Sequence, residues 1–416
     1  MFNTGQLSSE KTKLVNTADA VAYSAGVMHA RALNFDAYTN RAMMANEAMI
    51  AQMVSVSSWV QYAQGHVDDV PPLNCYEVVY SVPFWLGLTE YLPLCFALSW
   101  PPGALAVQYA KEGVEIVAPI AVAASELAKM NLQLAQTTMY VTFLSARKGL
   151  MQEVADANYL NDGAVKVDSI PLTDNYSAFD GKPFIVPYTG DDRTRFREAE
   201  LTAARKDDFV RDRSWSSHTP ISIPCILGPR GDAVRTGGTD LIGFDEWKAN
   251  DKASLRVERW HFSFFHSGCR TIATYALGNG HQSAKKDSSS SDDWSYSGVP
   301  SFYDLSAKAL AYTPGNPDKD KQDPRLRFAV RLTRANTQAR TSTGLSPIKP
   351  TGSLNIYQGS EAKNVMAAVA TSEVYFERPV ARADGLKELA SLFNPYWQVH
   401  LIANSAADVA MAMARQ

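Results

Sequence analysis

Cysteine is scarce. The 416-residue sequence has four, Cys75, Cys95, Cys225 and Cys269, and no two form a C-x-x-C pair, so zinc-ribbon and thioredoxin-type sites are excluded by spacing. The even number leaves two arrangements open: disulfides 75–95 and 225–269 in an oxidising compartment, or four buried thiols. An excess of one charge is also missing. Lys+Arg is 40 and Asp+Glu 43, a net charge of -3, which disfavours a dedicated nucleic-acid binder. Residues 1–20 lack a basic region followed by an apolar run, so no leader is expected there. The nearest approach to a membrane segment, Val78 to Trp100, contains Pro83 and Pro93. Two prolines break a spanning helix, so this segment reads as a core element or hairpin tip, and the chain as given reads as soluble.

Catalytic signatures are missing as well. The sequence has no G-x-S-x-G elbow, no H-E-x-x-H, no phosphate-binding G-x-x-x-x-G-K-[ST] and no G-x-G-x-x-G. His261 and His266 are five apart on a strand-like run, which places them on opposite faces and argues against a shared metal. Cys269 follows His266 by three without further ligands nearby. Asp287–Ser291 spells D-x-S-x-S inside a serine tract, without the buried strand such a cation site requires. Asp318, Asp320 and Asp323 lack the EF-hand spacing and its closing Glu. No cofactor, metal or catalytic residue is expected on these grounds.

What is present is a change of grammar along the chain. Hydrophobic residues make up 46% and charged residues 20%, ordinary for a folded protein with a core of its own. From residue 7 to about 66 there is no proline, and Leu14, Ala18, Val21, Ala25, Met28, Ala32 and Phe35 recur in steps of four and three, which predicts one long helix, or two end to end, packed along another. The methionines of this stretch read as core filling. A second long helix is expected over Ala104–Tyr159, with Val107, Ala110, Val114, Val117, Ala121, Ala124 and Ala128 as its buried seam and Pro119 kinking it. After residue 160, β-branched and aromatic runs predict strands at Pro183–Tyr188, Ile221–Ile226, Ser254–Phe265, Arg270–Tyr275, Arg325–Leu332 and Met366–Phe376. Gly278–Gly298 and Thr313–Pro324 read as exposed loops, Arg193–Arg213 as a mixed-charge helix, and Pro395–Gln416 as a tail ending in an Ala/Met-rich helix.

Two stretches carry a resemblance. Phe2–Trp59 contains Asn16-Thr-Ala-Asp-Ala-Val-Ala-Tyr-Ser24, and Glu373–Leu401 contains an intact L-F-N-P-Y-W at Leu392–Trp397. With looser agreement at Arg259–Phe265 and Tyr296–Leu305, the chain resembles the TadE/TadG-like proteins of Flp (Tad, tight adherence) pilus assembly. The close match covers about a fifth of the chain, and Thr17 departs from the N-A-D-A-A-A-Y-S string. The resemblance implies a bitopic protein: a short cytoplasmic start, one membrane helix leading into the F-N-x-G-Q segment, and the remainder outside the inner membrane. That anchor is not in the chain as given. A truncated, misassigned or processed start would each account for it.

The combined expectation is an α+β protein. A long antiparallel helical hairpin, or stalk, covers 1–160 with an apolar tip at 67–102, a β-rich head covers 161–380, and a tail helix at 381–416 docks on the body. The resemblance implies an exported accessory component of Tad pilus biogenesis in a bacterial cell envelope. Its partners would be other pilus-assembly or pilus subunits, the inner membrane, or further copies through the stalk, with no nucleic acid. Asn16 and Asp19 are candidates for hydrogen bonds within the hairpin, and Asn40 and Arg41 for its fixed end. Phe393, Tyr396 and Trp397 are candidates for the anchor of the tail. Two alternatives stand beside this: an extracellular filament or surface-layer subunit, and a hydrolase whose site would need a pocket with shifted titratable groups.

Overall fold

The computed structural model describes residues 2–69, 91–170, 176, 183–219, 225–263, 267–287, 290–310, 323–335, 338 and 365–414. The fold mixes helix and sheet, as an α+β chain should. Helix α1 is Phe2–Asp69, α2 Tyr91–Ser99, α3 Pro101–Asn158, α4 Thr194–Ala204, α5 Ala307–Leu310 and α6 Ala406–Ala414. The strands are β1 Lys166–Ser169, β2 Ile185–Tyr188, β3 Trp215–His218, β4 Arg230–Ile242, β5 Glu246–His261, β6 Gly268–Lys285, β7 Trp294–Ser295, β8 Phe302–Leu305, β9 Leu326–Ala335, β10 Val365–Phe376 and β11 Trp397–Ile402. Helix α1 contains no proline to remove an amide, and its isolated glycines do not interrupt it. Helix α3 opens on Pro101 and Pro102, where the first amides have no intrahelical acceptor to lose, and it tolerates Pro119 inside.

The chain forms two compact units, each discontinuous in sequence. Unit 1 is Met1–Arg41, Gln133–Tyr188 and Ser301–Gln416, and unit 2 is Ala42–Leu132 and Thr189–Pro300. Each takes one part of α1 and one of α3, so neither boundary expected from composition, at 160/161 or 380/381, separates them.

In unit 1 a four-stranded antiparallel sheet, ordered β1-β9-β10-β11, is accompanied by a β2-β8 ribbon. Strand β9 is buried on both faces, and its period of two sorts the partners. Phe328, Val330 and Leu332 share a core with Leu14, Ala18 and Ala25 of α1 and Met151 and Ala155 of α3. Ala329, on the opposite face, packs with Ala412 of α6. A second core joins Leu33 and Phe143 to Leu392 and Trp397. The small residues of α1 let it lie close to the sheet: a Cβ on Gly26 would stand 2.5 Å from Val399 Cγ2 and 2.8 Å from Ser372 Oγ.

Unit 2 is built on an antiparallel meander, β3-β4-β5-β6, with the short β7 parallel to β6. On β5 Trp247, Ala249, Ala253 and Leu255 alternate inward, and Tyr62 of α1 joins Ala253, Leu255 and Leu277 in one core. Strand β6 carries Gly280 where α1 passes closest: a Cβ there would lie 1.9 Å from the Ser58 carbonyl oxygen.

Several expectations need correction. Gly278–Lys285 is strand, not loop, because its glycines admit a helix backbone rather than a turn. Helix α4 ends at Ala204, and the chain then turns through Asp207 and Val210. Cys225 and Ile226 lie in a turn, and the rest of the Ile221–Ile226 strand lies outside the described residues. The α3 seam is also different. Ala110, Val117 and Ala124 are exposed, and the buried face carries Val122, Ser125, Lys129, Gln136, Phe143 and Arg147. Polar residues go inward because α1 supplies buried partners for them in each unit. The apolar tip falls largely outside the described residues, as do Thr313–Gln322 and His266. Among the described residues no helix is long and apolar enough to cross a membrane.

Candidate functional site

A groove of about 550 Å³ opens in unit 1 beside β10 and β11. The ladder builds it: Glu373 faces His400, Tyr375 faces Gln398, and Phe376 faces Trp397. Alternation sends Val374 and Phe376 into the core and leaves Glu373 and Tyr375 on the groove side. His400 stacks on Tyr375 with ring centroids 4.6 Å apart, and its Nε2 lies 3.3 Å from Glu373 Oε1. Arg325, just before β9, donates to Glu373 Oε1 at 2.8 Å and to Asp323 Oδ2 at 2.8 Å. From the segment after β10, Arg378 and Arg382 both reach Glu388 Oε2, at 3.1 and 3.2 Å, and Arg382 also pairs with Asp384 at 2.6 Å. The Arg382 hydrogen bond, helped by the Leu386 amide, brings the Asp384 carboxyl down to about 2. Bonding to Asp323 and Glu373, against partial burial, raises the Arg325 guanidinium. The groove therefore pairs its cations with carboxylates around an aromatic wall, with exposed Leu386 beside it. Such a lining suits a peptide segment of mixed charge.

Beneath the surface each unit holds a polar cluster. In unit 1, His29 Nδ1 donates to the Ala25 carbonyl at 2.8 Å, so its Nε2 accepts from Arg147 Nη1 at 2.9 Å. The ring sits among Phe143, Tyr176 and Phe328. Asp36 is buried with no donor on either oxygen. Burial, and then the neighbouring Asp304, push its carboxyl well above the usual range. Asp304 Oδ1 accepts the amides of Leu305 and Leu392 at 2.8 and 3.0 Å.

In unit 2, Glu47 accepts from Lys129 on one oxygen and from Trp247 Nε1 and Tyr296 Oη, each at 2.8 Å, on the other. Burial would lower the Lys129 ammonium, but Glu47 and Glu126 outweigh it and raise it above the ordinary lysine value. Glu200, fully buried beside Glu47, is driven well upward by burial and then by the Glu47 charge. Among the described residues, neither Glu200 oxygen meets a hydrogen-bond donor or acceptor. Asp251 is likewise buried, with Arg213, Arg235 and Ser58 donating to it at 2.7–3.1 Å.

The packing and contact candidates from sequence lie in unit 1, and Cys95, Cys225, Cys269 and His261 in unit 2. Asn40 is buried, donating to the carbonyls of Tyr303 and Leu392 at 2.8 and 2.7 Å and accepting from Gln136 at 2.7 Å. Trp397 is buried, with Nε1 on the Ser391 carbonyl at 3.2 Å and its ring edge-on to Phe184 and Phe376. Tyr396 and Phe393 are half-buried against Phe376 and Phe302. Asp19 is half-buried, whereas Asn16 and Arg41 are exposed. Cys225 and Cys269 form a disulfide, and Cys75, with the 75–95 pairing, lies outside the described residues. His261 is exposed at the end of β5. Among the described residues no three His, Cys, Asp or Glu side chains are placed to hold a metal ion.

Asn34 was not legible as a site. Its Nδ2 donates to the Trp397 carbonyl and its Oδ1 accepts the Trp397 amide, both at 3.0 Å, so a helix side chain takes the place of a strand neighbour at the start of β11. The only sequence signal was an amide six residues before Asn40 on the buried side of α1. Comparison with family models, curated proteins and solved structures finds no match.

Proposed function

We propose that this chain is a structural or accessory component of Tad (Flp) pilus biogenesis, exported and normally held at the inner membrane, acting through protein–protein contacts rather than catalysis. One observation carries the reading. The two stretches that resemble TadE/TadG-like proteins, distant in sequence, bond directly in unit 1: Asn34 to Trp397 and Asn40 to Leu392. The resembling residues thus serve to hold one architecture together. In this reading α1 and α3 are the arms of a long antiparallel hairpin, since Leu14–Ala25 share a core with Met151–Tyr159, and Ala63 with Val107. The groove beside Tyr375 and His400 would receive a segment of an assembly partner. The exposed apolar face of α3 also favours a second reading, an extracellular filament or surface-layer subunit.

Deletion of the gene tests the proposal. Surface pili and adherence should be lost and should return with the wild-type gene but not with an N34A/N40A variant. Normal piliation in the deletion strain would contradict it.

A further inference from the structure

Helix α3 presents its hydrophobic pattern to solvent. In unit 2 its inward residues include Ala118, Val122, Ser125 and Lys129, while Tyr109, Ile116, Ile120, Leu127 and Met130 stand 58% to 65% exposed. With Gly113 and Ala123 these positions step alternately by four and three, the a and d spacing of a coiled-coil seam. No charge interrupts the stripe. The charged residues between Ile116 and Asn131 are Glu126 and Lys129, and these pair with each other, Lys129 reaching Glu47 as well. With Leu105 and Val117 alongside, the exposed apolar surface is on the order of 800 Å², above the largest patch of a typical monomer and equal to one partner's share of a standard interface.

We propose that this face of α3 pairs antiparallel with the same face of a second copy. The proposal deepens the structural role proposed above and rests on it. The register points to the occupant. In an antiparallel pair an a position meets a d position. With Ile120 opposite the partner's Ala123, Gly113 falls opposite the partner's Met130, and Ile116 opposite the partner's Leu127. Each small residue then meets a large one, as close packing requires. A parallel in-register pair would set Gly113 against the partner's Gly113 and Ala123 against the partner's Ala123, leaving two gaps. Nothing lies within 4 Å of a Cβ built on Gly113, so the notch is open to a side chain from outside. The uncharged stripe opposes no like charges when it meets itself.

Sedimentation of the full chain over ~1–100 µM should show a dimer at about 10 µM. The I116E/I120E/L127E variant should be monomeric with an unchanged far-ultraviolet spectrum, since all three side chains are mostly exposed. Register is read by mixing G113C and M130C chains: the mixture should form an inter-chain disulfide, and neither variant alone should. A wild-type monomer throughout the range, a dimer indifferent to the triple variant, or a monomer that instead binds phosphatidylcholine vesicles through this face would overturn the pairing. A monomer that still captures pilus-assembly components would sink the pairing and leave the functional proposal standing; a dimer that captures none would do the reverse.

Discussion

The Asn40 amide serves three buried partners: two carbonyls from distant segments and the Gln136 amide. Truncation would strand the two carbonyls away from water, Gln136 keeping its bond to Thr39 Oγ1 at 2.7 Å, so N40A should cost about 3 kcal/mol, several times a surface change. Urea unfolding at neutral pH measures this, and a loss under about 0.5 kcal/mol would contradict the assignment. The buried acids make a second residue-scale prediction. Burial raises the Asp36 and Glu200 carboxyls well above the ordinary range in the fold, whereas in the unfolded chain they ionise near pH 4. Their contribution is therefore largest below about pH 4 and declines as pH rises toward their folded values, by up to about 1.4 kcal/mol per pH unit for each group. D36N and E200Q should flatten the fall in urea midpoint as pH rises above about 4. An unchanged slope in both variants would contradict the raised carboxyls. Asn40 was singled out from sequence, but for the fixed end of the first helix, whereas it lies in the interior of α1. Asp36, Glu47 and Glu200 were not singled out, because a lone acid on a helix reads as solvent-facing until its partner is known.

At the scale of elements, α1 is positioned by what the strands leave out. Gly280 faces the Ser58 carbonyl, which is backbone and cannot move aside, whereas Gly26 faces the ends of the Val399 and Ser372 side chains. G280A should therefore cost more than about 3 kcal/mol or prevent folding, and G26A about 1–2 kcal/mol, as overpacking of a close contact does. Thermal melts of the two variants give the comparison, and equal costs would argue that side-chain ends and backbone yield alike. Sequence periodicity identified α1, α3 and the strands β2, β5, β6, β9 and β10, because a repeat of four and three, or of two, is local; β1, β3, β4, β7, β8 and β11 were not expected. It misassigned the inner face of α3, since Lys129, Gln136 and Arg147 are buried where Glu47, Asn40 and His29 await them. It read Gly278–Lys285 as a loop for the same reason: glycine signals close approach as readily as a turn.

For the whole molecule, the α+β class was legible in the change of grammar near residue 160. The two interleaved units were not, because which part of each helix joins which sheet is decided by contacts far apart in sequence. The resemblance at the two ends of the chain and the bonds between those ends motivate the central claim, a scaffold that works by contact. Affinity capture of the full-length gene product from native membranes tests it most directly. The account predicts that pilus secretion components co-purify, and that they are lost with N34A/N40A. Capture of a folded, wild-type protein with no such component attached would contradict it.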